Sequence, residues 1–364
     1  MRIKRSLPII LGVVAIGAAV TLVVQLRKHA PPEPARLLPG ADAFVYVNLK
    51  WVRTVNEVNQ LPPVSHDPEY EQFIRETGFQ FERDLDEAAV AVHYPEAGTP
   101  RESDGSPALR FSEVFRGRIN GDKLSAYLTR ISKSIDAYQN ASIFNVPHDG
   151  RTVRVAIITV DTVAVSNHPD PSVIRGIVDR SRKLASPFGG PALLRQYYKQ
   201  VPIASLFWAI ARVKPGEEPS LNSILGSVAV LFNKPAVLVT SGRYIRALHL
   251  KAEAFTSSAE DAQSVATKLD TFLNLFHGAE TSVATPGSDP DVKAFFDSLK
   301  VATNRDHVVL TATVPPGFIR KALTEPPGLS MPSSSSEAQN PSPQPPAEGA
   351  TPATHKQQRP QNRR

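Results

Sequence analysis

The side chains best suited to chemistry are nine histidines, 35 acids and a few hydroxyl and basic clusters. Three histidines stand beside an aspartate at turns: His66-Asp67, His148-Asp149, and His168 two residues ahead of Asp170. Imidazole with carboxylate suits several divalent ions, so three such pairs gathered in space would form a metal centre. None has the i, i+4 helical spacing of a zinc hydrolase. An aspartate that starts a turn or helix needs no metal to explain it. The spacing favours turns and caps, and no metal ligand is assigned. His93 ends a strand at Val92-His93-Tyr94 with no evident partner. His249 shares a strand face with Arg243, Lys251 and Glu253, which reads as a solvated face.

Nucleophilic and phosphate chemistry find no motif. There is no Gly-x-Ser-x-Gly elbow and no Ser-x-x-Lys pair with its companions. Gly189-Gly190-Pro191 reads as a turn, because proline removes an N–H that a phosphate cradle would use. Arg175, Arg180, Arg182 and Lys183 gather at a helix end, where cations oppose the macrodipole and need no ligand. With no cysteine there is no disulfide, no thiolate zinc site and no cysteine nucleophile. No catalytic residue, cofactor site or metal site is assigned.

The net charge of +6 suggests nucleic acid only until it is partitioned. Residues 1–29 hold five basic side chains and no acid, and residues 326–364 hold four basic against two acidic. Of the 41 basic and 35 acidic residues, 32 and 33 remain between them, a net of −1. Nucleic acid as a partner is excluded on that balance.

Residues 7–26 carry no charge and are long enough, at about 1.5 Å per residue, to cross a membrane as a helix. Gln25-Leu26-Arg27-Lys28-His29 offers no small-residue cleavage site, which favours an uncleaved anchor. Arg2, Lys4 and Arg5 precede the span and Arg27 and Lys28 follow it. The positive-inside tendency leaves residues 1–6 in the cytoplasm and exports the rest. Residues 27–36 read as an extended proline linker. Nine prolines and a serine run make residues 326–364 a disordered tail.

Between them, caps and periodicity predict an α+β body. Asp67-Pro68, Asp170-Pro171 and Asp289-Pro290 each open a helix, and Gly78 closes the first. Ser257-Ser258-Ala259-Glu260 reads as a capping box. Beyond it, Ala262, Val265, Ala266, Leu269, Phe272, Leu273 and Phe276 repeat at helical spacing, which places Phe272 in the core. Leu124, Tyr127, Leu128, Ile131 and Ile135 mark another helix. Strands are expected at Ala43–Trp51, Thr152–Val160, Thr162–Ser166, Val237–Thr240 and Arg243–Phe255, the last two flanking a turn at Ser241-Gly242. Ala204–Val213 and His307–Val314 read as central strands.

The order of elements suggests two similar mixed α/antiparallel-β halves, residues 37–186 and 187–325, meeting near Pro187–Pro202. One alignment sets Leu109–Asn120 and its following helix on Arg243–Phe255 and the helix after it. It also sets Val153–Ile158 and the next helix on His307–Val314 and Phe318–Leu323. A rival alignment shifts Asp67-Pro68 by 222 residues onto Asp289-Pro290.

A proline linker followed by Leu38-Pro39-Gly40-Ala41-Asp42-Ala43-Phe44-Val45-Tyr46-Val47-Asn48-Leu49 resembles the start of certain uncharacterised bacterial signal-anchored envelope proteins. Asn48 stands where an acid is usual, and Gly40 is inserted. The resemblance implies an envelope location and no chemistry. The expected protein is therefore single-pass in the bacterial inner membrane, N-terminus in and domain periplasmic. Its domain would bind or scaffold an envelope protein or cell-wall partner without catalysis. The alternative is an anchored hydrolase or transferase with its site between the two halves.

The tail yields a direct test. Deleting residues 326–364 is expected to leave the melting temperature unchanged; a clear drop in thermal scans would mean that the tail packs on the domain.

Overall fold

The computed structural model describes residues 30–56, 66–95, 109–182, 189–215, 228–282 and 290–319. The expected anchor and tail, the helix cap at Asp289, and Lys183 lie outside them. Among the described residues no helix is long and apolar enough to cross a membrane.

Twelve strands form one antiparallel sheet: β1 Ala43–Asn48, β2 Leu85–His93, β3 Arg110–Gly117, β4 Ser134–Tyr138, β5 Ala141–His148, β6 Arg151–Ile157, β7 Thr162–Ser166, β8 Phe207–Val213, β9 Ala236–Ile245, β10 Ala247–Phe255, β11 Lys300–Asn304 and β12 His307–Val314. The order across the sheet is β11-β12-β10-β9-β8-β1-β2-β3-β7-β6-β5-β4. The chain is thus a mixed α+β fold. From the central β1–β8 pair, one side runs β1, β2, β3, β7, β6 and the other β8, β9, β10, β12, β11, with the β4–β5 hairpin added at one edge.

Among the described residues lie a short 3-10 helix at Tyr198–Gln200 and the α-helices α1 Glu33–Leu37, α2 Leu49–Asn56, α3 Pro68–Thr77, α4 Phe81–Asp84, α5 Gly121–Ile131, α6 Ser172–Arg182, α7 Ala192–Tyr197, α8 Ala259–Ser282 and α9 Pro290–Asp297. Local chemistry explains their ends. The Asp67 carboxylate accepts from Tyr70 N, and Gly78 closes α3 with φ 72°. Asn120 caps α5, and Asp170 accepts from both the N–H and the hydroxyl of Ser172 ahead of α6. At α8 the cap is Ser258, whose hydroxyl accepts from Asp261 N and donates to the Asp261 carboxylate. The capping box therefore sits one residue later than the sequence predicts, with Asp261 in place of Glu260.

Side-chain alternation divides the sheet into two faces. On the first, α1, α6 and α7 pack Leu37, Leu38, Ile174, Ile177, Val178 and Leu194 onto Phe44, Tyr46, Val114, Trp208 and Ile210. On the second, α8 sets Ala262, Val265 and Ala266 against Ala236, Ala254 and Val308. Elsewhere on that face Phe81 approaches Phe115 and Phe73 approaches Tyr127, which joins α3, α4 and α5 into an aromatic cluster.

Several expectations are corrected. Residues 33–37 are helical, with Ala35 and Leu37 buried, because their small and apolar side chains meet the sheet rather than water. Trp51 lies on α2, since β1 stops at Asn48, whose side chain accepts from Trp51 N. Ile135 is on edge strand β4 and exposed, because α5 ends at Ile131. Ser241-Gly242 is interior to β9, and the chain turns at Arg246 instead. The Phe207 ring on β8 occupies the space that a Cβ at Gly242 would need, so this glycine serves packing and not a turn. Phe272 is 53% exposed, because α8 is buried through the small residues of its first half. The Phe276 side chain lies outside the described set.

Phe44 has no solvent exposure at the centre of the sheet. Phe44→Ala is expected to cost about 3–5 kcal/mol in denaturant unfolding, and Phe272→Ala less than half as much as Phe44→Ala.

Candidate functional site

Of the histidines that sequence pairs with aspartates, His148 keeps Asp149 at 3.4 Å and His168 bonds the Asp170 backbone, while His66 takes other partners. His66 bridges two glutamates, Nδ1 at 2.7 Å from Glu71 and Nε2 at 2.5 Å from Glu82. The second Glu82 oxygen accepts from the Tyr70 hydroxyl at 2.6 Å, and that hydroxyl accepts from Phe81 N. This network ties the entry of α3 to α4. The hydrogen bonds to Glu71 and Glu82 raise the His66 pKa. His148 and Asp149 are both well exposed in the β5–β6 turn. His168 faces His93, with ring centres 5.2 Å apart, and its Nδ1 accepts from Asp170 N. Burial, then the neighbouring His168, lowers the His93 pKa, and the His93 Nε2 is buried without a partner among the described residues. Among the described residues no three such side chains are disposed to hold a metal.

The basic end of α6 is also spoken for. Arg180 Nε donates to Leu37 O at 2.6 Å, Arg182 donates to Gln139 O at 2.5 Å, and Arg175 lies over the Tyr138 ring. These contacts tie α6 to α1 and to the β4–β5 hairpin, a more specific use than opposing the helix dipole.

The junction near Pro187–Pro202 is filled where it is described. Leu193, Leu194 and Val201 are buried in the first-face core. Through Tyr197, α7 reaches the first face of β10 at Phe255, and further along β9, β10 and β12 a recess of about 410 Å³ opens on that face. Its floor follows from register. Arg243, His249 and Thr313 form one cross-strand row, and Ser241, Lys251 and Thr311 the next. His249 Nδ1 and the Thr313 hydroxyl lie 3.3 Å apart. In the following row Glu253 is buried, and one of its oxygens holds Lys251 Nζ at 2.6 Å. Trp208 on β8 pairs directly with Ser241, so the recess abuts the main core.

Sequence reasoning placed His249, Lys251 and Glu253 on one strand face, and that much stands. Arg243 belongs to the neighbouring strand and arrives through register. Glu253 is buried, not solvated. Thr311 and Thr313 were missed, although polar residues two apart on the apolar strands β9, β10 and β12 were the available signal. Chemically the recess offers cationic and hydroxyl donors. The Lys251 Nζ is held by Glu253 beside Ser241.

No family model and no curated protein matches the chain. Among solved structures, crystal form III of TP0453 is similar at 10% identity and a TM-score of 0.43, covering 81% of this chain and 98% of that one. Crystal forms IV and I give TM-scores of 0.38 and 0.39 at 10% and 9% identity, with the same coverage. A likeness of this size carries no argument about activity.

The two perturbed histidines predict opposite pH effects. The raised pKa of His66 gives stability that is fully present below the ordinary value of 6.5 and is lost as pH rises through the folded value. The lowered pKa of His93 costs stability as pH falls below 6.5, because only the unfolded chain takes up the proton readily. Urea titrations from pH 8 to 5 are expected to show the His66→Gln deficit growing toward acid. In His93→Gln the acid loss of the parent should be reduced.

Proposed function

We propose that this is a single-pass protein of the bacterial inner membrane, anchored by residues 7–26, with its α+β body in the periplasm serving as a non-catalytic binding or scaffolding domain. Its partner is an envelope protein or a cell-wall component. The observation that carries the binding reading is the recess over β9, β10 and β12. It gathers Ser241, Arg243, His249, Lys251, Thr311 and Thr313 on paired strands, which hold side chains more firmly than loops do. The absence of charge in residues 7–26 and the basic residues ahead of them support the anchor and its orientation.

The two halves are read as a duplication. Three meandering strands, a helix on the second face, and a hairpin whose last strand returns beside the third occur on both sides of the β1–β8 pair. That order supports the alignment of β3–α5 with β10–α8. Within it β7, rather than β6, corresponds to β12. The rival shift by 222 residues joins α3, which lies between β1 and β2, to α9, which lies between β10 and β11.

Two measurements test the proposal. A reporter active only outside the cytoplasm, fused after Leu323, is expected to be active, and inactivity overturns the orientation. For binding, a photo-crosslinking residue at Thr311 in the membrane-embedded chain is expected to give discrete adducts. The same residue at Val160, 85% exposed in the β6–β7 turn, should give none. Equal labelling at both positions overturns the binding reading.

A further inference from the structure

We propose that the recess over β9, β10 and β12 is an oxyanion site, taking a phosphate or carboxylate group carried by the partner of the domain. This rests on reading the body as a binding domain and names what the recess recognises. Within its two floor rows Arg243 and Lys251 are cationic, Ser241, Thr311 and Thr313 carry hydroxyls, and no side chain is acidic. The nearest carboxylate, Glu253, lies one row deeper and is engaged by Lys251. With His249 neutral, the three rows together carry one net positive charge.

Arg243 is the decisive group. It is exposed and has no hydrogen-bond or ion-pair partner among the described residues. A guanidinium is a planar fork of donors that matches carboxylate and phosphate oxygens two at a time. On β10 the Lys251 ammonium is anchored from below by Glu253, so it meets a ligand as a fixed charge. Hydroxyls on the flanking strands supply further donors at the spacing of adjacent strands, about 4.8 Å. Beside the recess, Trp208 Nε1 is a buried donor without a partner among the described residues. A volume of about 410 Å³ falls in the range of small-molecule sites.

The second basic recess, of about 290 Å³, makes a weaker case because two of its three cations, Arg154 and Arg175, are already used. Arg154 donates to His168 O, and Arg175 covers Tyr138. It also contains Asp136.

Trp208 supplies the readout. The chain has two tryptophans, so Trp51→Phe leaves Trp208 as the sole indole, paired across the sheet with Ser241. Full-length W51F protein in detergent micelles is titrated with inorganic phosphate, acetate or chloride at matched ionic strength, following indole emission and melting temperature. A saturable change with phosphate or acetate, and none with chloride, is expected. Arg243→Gln should weaken it by about tenfold or more, the usual size of one charge-assisted hydrogen bond. Arg75→Gln, on exposed α3, should leave it unchanged. If neither readout responds to either oxyanion, or if R243Q and R75Q behave alike, the oxyanion assignment is overturned. Crosslinks from Thr311 that persist in that case would leave the binding domain standing, so the two failures are distinguishable.

Discussion

The antiparallel register between β1 and β8 is the constraint on which the rest of this structure depends. Ala43 faces Ala211, Phe44 faces Ile210 and Tyr46 faces Trp208, so two five-strand runs become one sheet instead of two small ones. The Tyr46 and Trp208 rings stack with centres 5.5 Å apart, and the Tyr198 ring meets Trp208 edge-on at 5.3 Å. Burial, together with the Glu87 carboxylate that accepts its hydroxyl, raises the Tyr46 pKa far above the ordinary value. Tyr46 and Trp208 are buried in this aromatic layer, and Tyr198 is partly buried at its edge. Since side chains alternate along a strand, a slip of one residue in the central pair would turn Phe44, Tyr46, Trp208 and Ile210 away from their helices.

From that register the division of labour between the faces follows. α1, α6 and α7 close the first face over the centre, and α8 closes the second face over β9, β10 and β12. On the other side of the strands that α8 covers, α7 reaches only as far as the row of Phe255. Beyond it the rows of Ser241, Lys251, Thr311 and of Arg243, His249, Thr313 replace apolar residues. The deeper row, Val239–Glu253–Val309, marks the transition: its one acid is buried and contacts Lys251 Nζ at 2.6 Å. An unpaired carboxylate at that depth is costly, so the Lys251–Glu253 pair sets both the stability of this strand end and the charge of the recess floor.

The helices contribute little energy at their tips and much specificity in direction. Arg180 reaches from α6 to Leu37 O, and Arg53 reaches from α2 to Leu85 O and the Asp86 carboxylate. Each closes a long loop in the chain with a charge-assisted hydrogen bond. Such bonds fix where a helix lies on the sheet, while apolar burial does most of the holding.

What the sequence determined by itself was local. Asp67-Pro68 with Gly78, and Asp170-Pro171, specify helix ends through hydrogen bonds to residues at most four positions away, and the structure keeps them. Asp149-Gly150 likewise makes its turn, with both residues at positive φ. The strand β1 was legible from alternation, β6 and β7 from the turns that flank them, and β8 and β12 from nearly continuous apolar runs. Register and coverage were not. Phe272 repeats at helical spacing yet is half exposed, because periodicity marks a helix face without saying how far the sheet extends beneath it. Ser241-Gly242 carries the residues of a turn, and only the Phe207 ring across the pair shows why a glycine is needed inside β9. His249 was visible as a polar residue on a strand. Its company, Arg243 on one side and Thr313 on the other, was decided by pairings between segments up to 64 residues apart. No local pattern encodes such pairings, because they follow from which faces of the assembled sheet the helices bury.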